Sequence, residues 1–154
     1  MFREERMMWL RNAGFFLLSM VMLSACASKS PYEQARYFHD AGRYAEAIEY
    51  YTQAIKNPEN DRELFRSYHF RGEAYRVTGS TEKAFYDFYA AMIVSCYLEK
   101  HETHTGAYAY GMIPSTYCRK WGKQKLMSLS SDISQDQQAT LKQEAETALS
   151  RFLE

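Results

Sequence analysis

Cysteine, proline and tryptophan are all scarce in this chain. Of 154 residues, three are cysteine, three are proline and two are tryptophan. Neither sign of charge is in excess, because 19 Lys and Arg face 19 Asp and Glu. No bulk positive field therefore draws the chain to nucleic acid, and no nucleic-acid partner is expected. The cysteines, Cys26, Cys96 and Cys118, form no C-x-x-C, which removes the usual dithiol redox motif. The chain has no G-x-S-x-G, no phosphate-binding glycine loop and no dinucleotide fingerprint. The expectation is thus a non-enzyme with no catalytic residue, no cofactor and no small-molecule substrate. The main apolar run, Ala13 to Leu23, is interrupted by Gly14 and Ser19 and soon gives way to polar sequence. It is too short for an ordinary membrane span. What the chain has in quantity is aromatic residues, 16% of the total, with thirteen tyrosines. Tyrosine packs well while keeping a polar tip, which suits a small helical stack with half-exposed faces.

The N-terminal segment decides the compartment. Arg3, Arg6 and Arg11 precede the apolar run, with Glu4 and Glu5 among them, and Met7 and Met8 are alternative starts. The run ends at Leu23-Ser24-Ala25-Cys26. This tetrapeptide resembles the bacterial lipobox. The resemblance implies cleavage after Ala25, a lipid on the Cys26 sulfur and acylation of the new amino terminus. Several acyl chains on one residue hold a protein to a bilayer where a single chain holds it only marginally. Ala27 follows, where an Asp would favour inner-membrane retention, so the resemblance implies an outer-membrane site facing the periplasm of a bacterial envelope. The alternatives are an ordinary signal peptide, or a buried helix that ends in cysteine. Residues 1–25 are read as the signal peptide and 26–30 as a lipidated tether.

The stretch from Tyr32 to Ala91 is written twice. Ala47, Tyr51 and Ala54 recur as Ala84, Phe88 and Ala91, Gly42 recurs as Gly79 and Phe38 as Tyr75, each pair 37 positions apart. A fixed period of this length signals stacked supersecondary units. The breakers predict four helices. The first opens at Pro31, buries Ala35 and Phe38 and ends at Ala41 before Gly42. The second runs from Tyr44 to Lys56, with Ala47, Ile48, Tyr51, Ala54 and Ile55 on one face. Asn57-Pro58-Glu59-Asn60 breaks the chain. The third runs from Asp61 to Thr78, with Leu64, Phe65, Tyr68, Gly72 and Tyr75 along one side. The fourth opens at Ser80 or Thr81 and reaches Glu99.

This pattern resembles the tetratricopeptide repeat. The second copy carries Tyr68-x2-Arg71-Gly72-x2-Tyr75, then Gly79, then Ala84-x3-Phe88-x2-Ala91, with Arg71 where the family has leucine. The first copy carries Ala35, Phe38, Gly42, Tyr44, Ala47-x3-Tyr51-x2-Ala54 and Pro58, with Pro31 in the place of the first aromatic. The resemblance implies an all-α fold of two antiparallel helix hairpins over 31–95. It also implies a concave groove lined by the first helix of each repeat. Carried over by position, the groove residues are Tyr32, Glu33, Arg36, His39, Arg66, His69, Phe70, Glu73 and Arg76. An extended peptide or a protein surface could use this basic and aromatic set through Arg–carboxylate pairs and ring stacking.

Residues 96–154 read as a non-repeat cap. Gly106 to Thr116, with Tyr108 and Tyr110, reads as an ordered loop, since Gly106, Gly111 and Pro114 are poor helix material. Tyr117 to Met127 reads as a helix. Ser134-x-x-Gln137 is a capping-box signature that opens a last helix to Phe152. Two repeats do not bury their own faces, so this segment is expected to cover the open end of the second hairpin. Cys96 and Cys118 are an even pair in an oxidising compartment, which points to a disulfide; the alternative is two separate buried thiols. A second function class uses the same residues. Cys96 and Cys118 with His101 and His104 of His101-Glu102-Thr103-His104 offer two sulfurs and two imidazoles to zinc, as in a metal-dependent hydrolase, although the spacing is not a standard one. The leading expectation is a lipid-anchored adaptor or scaffold for an envelope protein or peptide. A purely structural envelope lipoprotein is the plainer alternative.

Overall fold

The computed structural model describes residues 29–101 and 112–153. The signal segment, Cys26 and His104 lie outside the described residues, as does the Gly106–Gly111 part of the predicted loop. The described residues form six helices and no strand, so the fold is all-α.

Helix α1 (Pro31–Asp40) starts with a capping box at Ser30. The Glu33 N–H donates to Ser30 Oγ at 3.2 Å, and the Ser30 N–H donates to Glu33 Oε2 at 3.3 Å. Pro31 supplies a first residue that has no N–H to satisfy. The chain leaves α1 through Gly42 in the left-handed region, φ 72°. The Arg43 N–H reaches the Phe38 carbonyl at 2.8 Å and the Gly42 N–H reaches the His39 carbonyl at 2.9 Å, the paired bonds of a Schellman close. Helix α2 (Tyr44–Lys56) follows.

Helix α3 (Asp61–Val77) is capped by Asn60, whose Oδ1 accepts from the Glu63 N–H at 2.9 Å. It ends by the same device as α1, 37 residues on. Gly79 has φ 78°, the Ser80 N–H donates to the Tyr75 carbonyl at 2.8 Å, and the Gly79 N–H donates to the Arg76 carbonyl at 3.2 Å. The sequence repeat is therefore a repeat of backbone geometry at the two turns. Packing repeats as well. Ala47, Tyr51 and Ala54 of α2 are fully buried, as are their counterparts Ala84, Phe88 and Ala91. Fully burying an aromatic such as Phe88 contributes roughly 1.5–3 kcal/mol. Gly72 stands 37 positions after Ala35, and both are buried. A Cβ on Gly72 would lie 2.8 Å from Phe88 Cε1 and 3.2 Å from Asp87 Cβ. This close approach accounts for a glycine in mid-helix despite its cost of about 1 kcal/mol relative to alanine.

Helix α4 (Thr81–His101) is where the repeat gives way. It runs two residues beyond the predicted end, and its buried residues extend along its length from Ala84 to Leu98. A helix that is apolar on all sides needs cover on all sides. Helix α3 packs on one side of α4, and the C-terminal helices pack on the rest. Helix α5 is a continuous rod of Pro114–Thr116, a π-helical stretch Tyr117–Trp121, and Gly122–Leu129. Pro114 to Thr116, expected in the loop, is helical instead: proline is unfavourable inside a helix but is compatible with its first turn, where it sits here. A short 3-10 turn, Ser130–Asp132, leads to helix α6 (Gln135–Ala148) and a closing 3-10 turn, Ser150–Phe152.

The Ser134 capping box forms, with the Gln137 N–H on Ser134 Oγ at 3.3 Å and the Ser134 N–H on Gln137 Oε1 at 3.1 Å. Three polar contacts join this end to the second hairpin. Gln137 Nε2 donates to Glu82 Oε1 at 2.8 Å, Tyr89 Oη donates to Glu146 Oε1 at 2.5 Å, and Arg151 pairs with Asp61 at 3.1 Å. Beneath them, Ala145, Leu149 and Phe152 share a core with Leu64, Phe65, Tyr68, Ala91 and Val94.

The Cys96 and Cys118 sulfurs are 1.96 Å apart, at bonding distance, and this joins α4 to α5. Sulfurs bonded to each other are not the thiolates that a zinc site takes. The Cys96, His101, His104 and Cys118 set thus loses its two sulfur ligands. His101 is exposed and stacks on Tyr97, with ring centroids 4.3 Å apart.

Candidate partner-binding face

The nine groove residues fall into two groups. Tyr32, Glu33, Arg36 and Arg66 line an open depression of about 860 Å³ between α1 and the start of α3, together with Tyr37, Asp40, Glu59 and Glu63. Helical spacing puts Glu33, Arg36, Tyr37 and Asp40 of α1 on one side, at i, i+3, i+4 and i+7. The walls differ in exposure. Arg36 and Tyr32 are buried, while Glu33 and Tyr37 are exposed, Tyr37 at 61%. Glu33 is committed to the α1 capping box, so its carboxylate is held at the rim.

Arg36 is the fixed centre. Its guanidinium carbon is 4.0 Å from the Phe70 ring centroid, and its NH2 group donates to Asp40 Oδ1 at 2.8 Å. Burial opposes its charge, but the Tyr51 hydroxyl, Asp40 and Tyr32 outweigh that and hold the guanidinium more firmly protonated than usual. Burial also pushes the Tyr51 hydroxyl well above the usual tyrosine range, so it stays neutral beside Arg36. Glu63 sits deeper in the depression. Burial raises its carboxyl, against the Glu59 N–H that donates to Oε1 at 3.3 Å.

The second group forms a seam of rings next to this depression. His39 meets Tyr44, Tyr51 and Phe70 edge-on, at 5.2, 5.9 and 5.6 Å between centroids. Burial and then the Arg36 charge lower its basicity. His69 packs on Phe70 at 5.0 Å and Tyr117 at 5.2 Å, and its Nδ1 shares a hydrogen bond with Tyr117 Oη at 3.2 Å. Burial takes the His69 ring down to about 4, so it is neutral at physiological pH. Glu73 lies between Lys125, in close contact with Oε1, and Arg76, whose Nε donates to Oε2 at 3.0 Å. Burial works against its charge, but the Lys125 and Arg76 contacts prevail and hold the carboxyl below its usual range. Arg76 itself is exposed.

Two residues of this seam come from the cap, and the repeat pattern did not point to them. Tyr117 and Lys125 of α5 bond across to His69 and Glu73 of α3. The sequence carries no period that places α5 beside α3. Glu63 had a readable signal: Asn60-x-x-Glu63 has the spacing of a capping pair, and Asn60 does cap α3. The Arg71–Asp87 pair behind the face was also unforeseen. Arg71 Nε and NH2 fork onto Asp87 at 2.8 and 2.7 Å, and NH1 donates to Thr52 Oγ1 at 2.9 Å. One guanidinium thus links α2, α3 and α4. Burial pushes the Asp87 carboxyl up, to about 6, against the two Arg71 bonds that favour its charge.

No protein-family model matches the chain, and no characterised protein or solved structure matches it significantly.

Proposed function

We propose that the chain is a lipid-anchored adaptor of the bacterial envelope, built on two tetratricopeptide-like hairpins, that holds a protein or peptide segment against α1 and α3. The observation that carries this reading is the depression between α1 and α3. It has a buried arginine held against an aromatic ring and paired with Asp40, and exposed Glu33, Tyr37 and Glu59 at its rim. Arg36 is preorganised by Phe70 and Asp40, so a bound carboxylate or backbone carbonyl orders little that is not already ordered. The recurrence of the Gly42 turn at Gly79, and of the Ala47, Tyr51 and Ala54 contacts at Ala84, Phe88 and Ala91, supports the repeat assignment. The Leu23-Ser24-Ala25-Cys26 tetrapeptide supports acyl chains on Cys26 and a tether of a few residues leading to α1, and Ala27 after it supports an outer-membrane site facing the periplasm. A buried, weakly basic His69 bonded to Tyr117, a bonded cysteine pair and carboxylates engaged by cations and caps suit recognition better than turnover. The reading is accordingly of a binding protein without catalytic residues or cofactor.

Affinity capture from crosslinked envelopes tests it, comparing the wild type with a Tyr37→Ala, Arg66→Glu variant. Neither side chain is in the core, so the thermal melt is expected to stay unchanged. Recovery of one specific envelope protein is expected to fall roughly tenfold, as for loss of an aromatic and an arginine anchor. Equal recovery with both proteins, or no specific protein with the wild type, counts against the adaptor.

A further inference from the structure

The outward face of α5 is chemically unlike the rest of the molecule. The chain as a whole is neutral, yet Met112 to Ser131 contains four cations, Arg119, Lys120, Lys123 and Lys125, and no Asp or Glu. Lys125 is turned inward to Glu73, and Arg119 reaches Glu99 of α4 while remaining exposed. Lys120 and Lys123 are exposed and make no ion pair among the described residues. The same segment carries three of the six large apolar side chains exposed among the described residues: Ile113, which precedes the rod, and Trp121 at 37% and Met127 at 73% on it. It also has a clear inner side. Tyr117, Gly122 and Leu129 are buried and Leu126 packs on the Phe85–Phe88 core, so Lys120, Lys123 and Met127 are displayed by the surface turned away from α4.

The geometry points to this face of α5 as a membrane-surface contact, with an anionic bilayer as its occupant. Charge complementarity is the first argument: unneutralised lysines on an acid-free rod are attracted to anionic headgroups within a Debye length. The kind of residue is the second. Lysine is depleted from protein–protein interfaces, whereas lysine with tryptophan and a few apolar side chains is the usual make-up of a surface that rests in the headgroup layer. Lysine stems lie along the apolar region while their ammonium groups stay wet. The inference rests on the lipid-anchor reading in one respect. Two lysines and a few apolar side chains hold a bilayer weakly, and acyl chains on Cys26 supply the effective concentration that makes the contact persistent. The contact would fix which way the α1–α3 depression faces relative to the membrane, which acyl chains at Cys26 alone leave free.

The experiment uses the protein purified from envelopes in detergent, as a Trp9→Phe variant, so that Trp121 is the sole indole whether or not the leader is removed. It is reconstituted into phosphatidylcholine vesicles with and without phosphatidylglycerol, each made with plain or brominated acyl chains. Vesicle flotation reports the anchor, and bromine quenching of Trp121 reports α5. The expected result is flotation with both compositions. Quenching is expected to be strong only with phosphatidylglycerol, and to be lost in a Lys120→Glu, Lys123→Glu variant that still floats. Flotation with equal Trp121 emission from plain and brominated anionic vesicles overturns the α5 contact alone. Failure to float with either composition overturns the anchor and the contact together. Quenching that soluble polyglutamate abolishes at the ionic strength of the assay, while zwitterionic and anionic vesicles quench alike, marks α5 as a site for acidic polypeptide and overturns the bilayer as its occupant.

Discussion

Replacing Asp87 with alanine should cost about 3–5 kcal/mol of unfolding free energy, the loss expected when one partner of a buried ion pair is removed. Asp87 is 1% exposed, and its two oxygens take the Arg71 fork at 2.7 and 2.8 Å. Alanine at this position leaves the Arg71 guanidinium in the same enclosed space with Thr52 Oγ1 as its remaining hydrogen-bond partner among the described residues. Domains of this size have total stabilities of about 5–15 kcal/mol, so the single variant approaches the folding threshold. A double variant, Arg71→Leu with Asp87→Val, is expected to recover most of the loss. It removes both charges from a low-dielectric site, and the Thr52 hydroxyl keeps its own bond to the Ile48 carbonyl at 2.7 Å. Urea unfolding of the three proteins, followed by far-UV circular dichroism, gives the comparison. A single-variant cost below about 1 kcal/mol, the usual value of an exposed pair, would show that the pair is not buried as described.

The second large effect concerns the bond between α4 and α5. Breaking Cys96–Cys118, by paired serine substitution or by reductant, is expected to cost about 3 kcal/mol from the chain entropy of its closed loop. The two cysteines are 22 positions apart, and that separation sets the size of the effect. For a chain of this length the loss corresponds to a melting shift of roughly 10 °C. The consequence extends beyond stability. Tyr117, next to Cys118, makes the hydrogen bond to His69 and packs on Phe65 at 5.1 Å, so the bond also positions the seam beside the α1–α3 depression. Differential scanning calorimetry with and without dithiothreitol measures this, with thiol titration confirming reduction. Identical melts of oxidised and fully reduced protein would contradict it.

These two features divide what is legible in the chain from what is not. Local signals were readable. The bounds of α1 and α2 follow from Pro31, Gly42 and the Asn57–Asn60 breaker, because a missing donor, a left-handed turn and a restricted pre-proline residue each act within a few positions. The Ser134 capping box and the buried alanine–aromatic faces of α2 and α4 are local in the same sense. Relations across the fold were not readable. Arg71 and Asp87 are sixteen positions apart on different helices; Arg71 stands out only as a departure from the leucine of the repeat pattern, and no local signal pairs it with Asp87. Lys125 and Tyr117 reach the seam through the packing of α5, which no period announces. Positions carried over from the resemblance do not distinguish the environments of the nine groove residues, which the structure divides between the depression and the seam. Tyr32 and Arg36 are buried struts, Glu33 is a helix cap and Arg76 is an exposed end of the Glu73 pair. The start of α5 at Pro114 departs from the expected loop because proline breaks a helix in its interior but not in its first turn.

The proposed adaptor stands or falls on whether the α1–α3 depression meets another protein in the envelope. Site-specific photocrosslinking in intact cells asks this directly, with a photoreactive amino acid placed at Tyr37 in the depression or at Thr140 on the exposed side of α6. One discrete crosslinked product is expected from position 37 and none from position 140. The same faint pattern from both positions, or a discrete product from 140 alone, would contradict it.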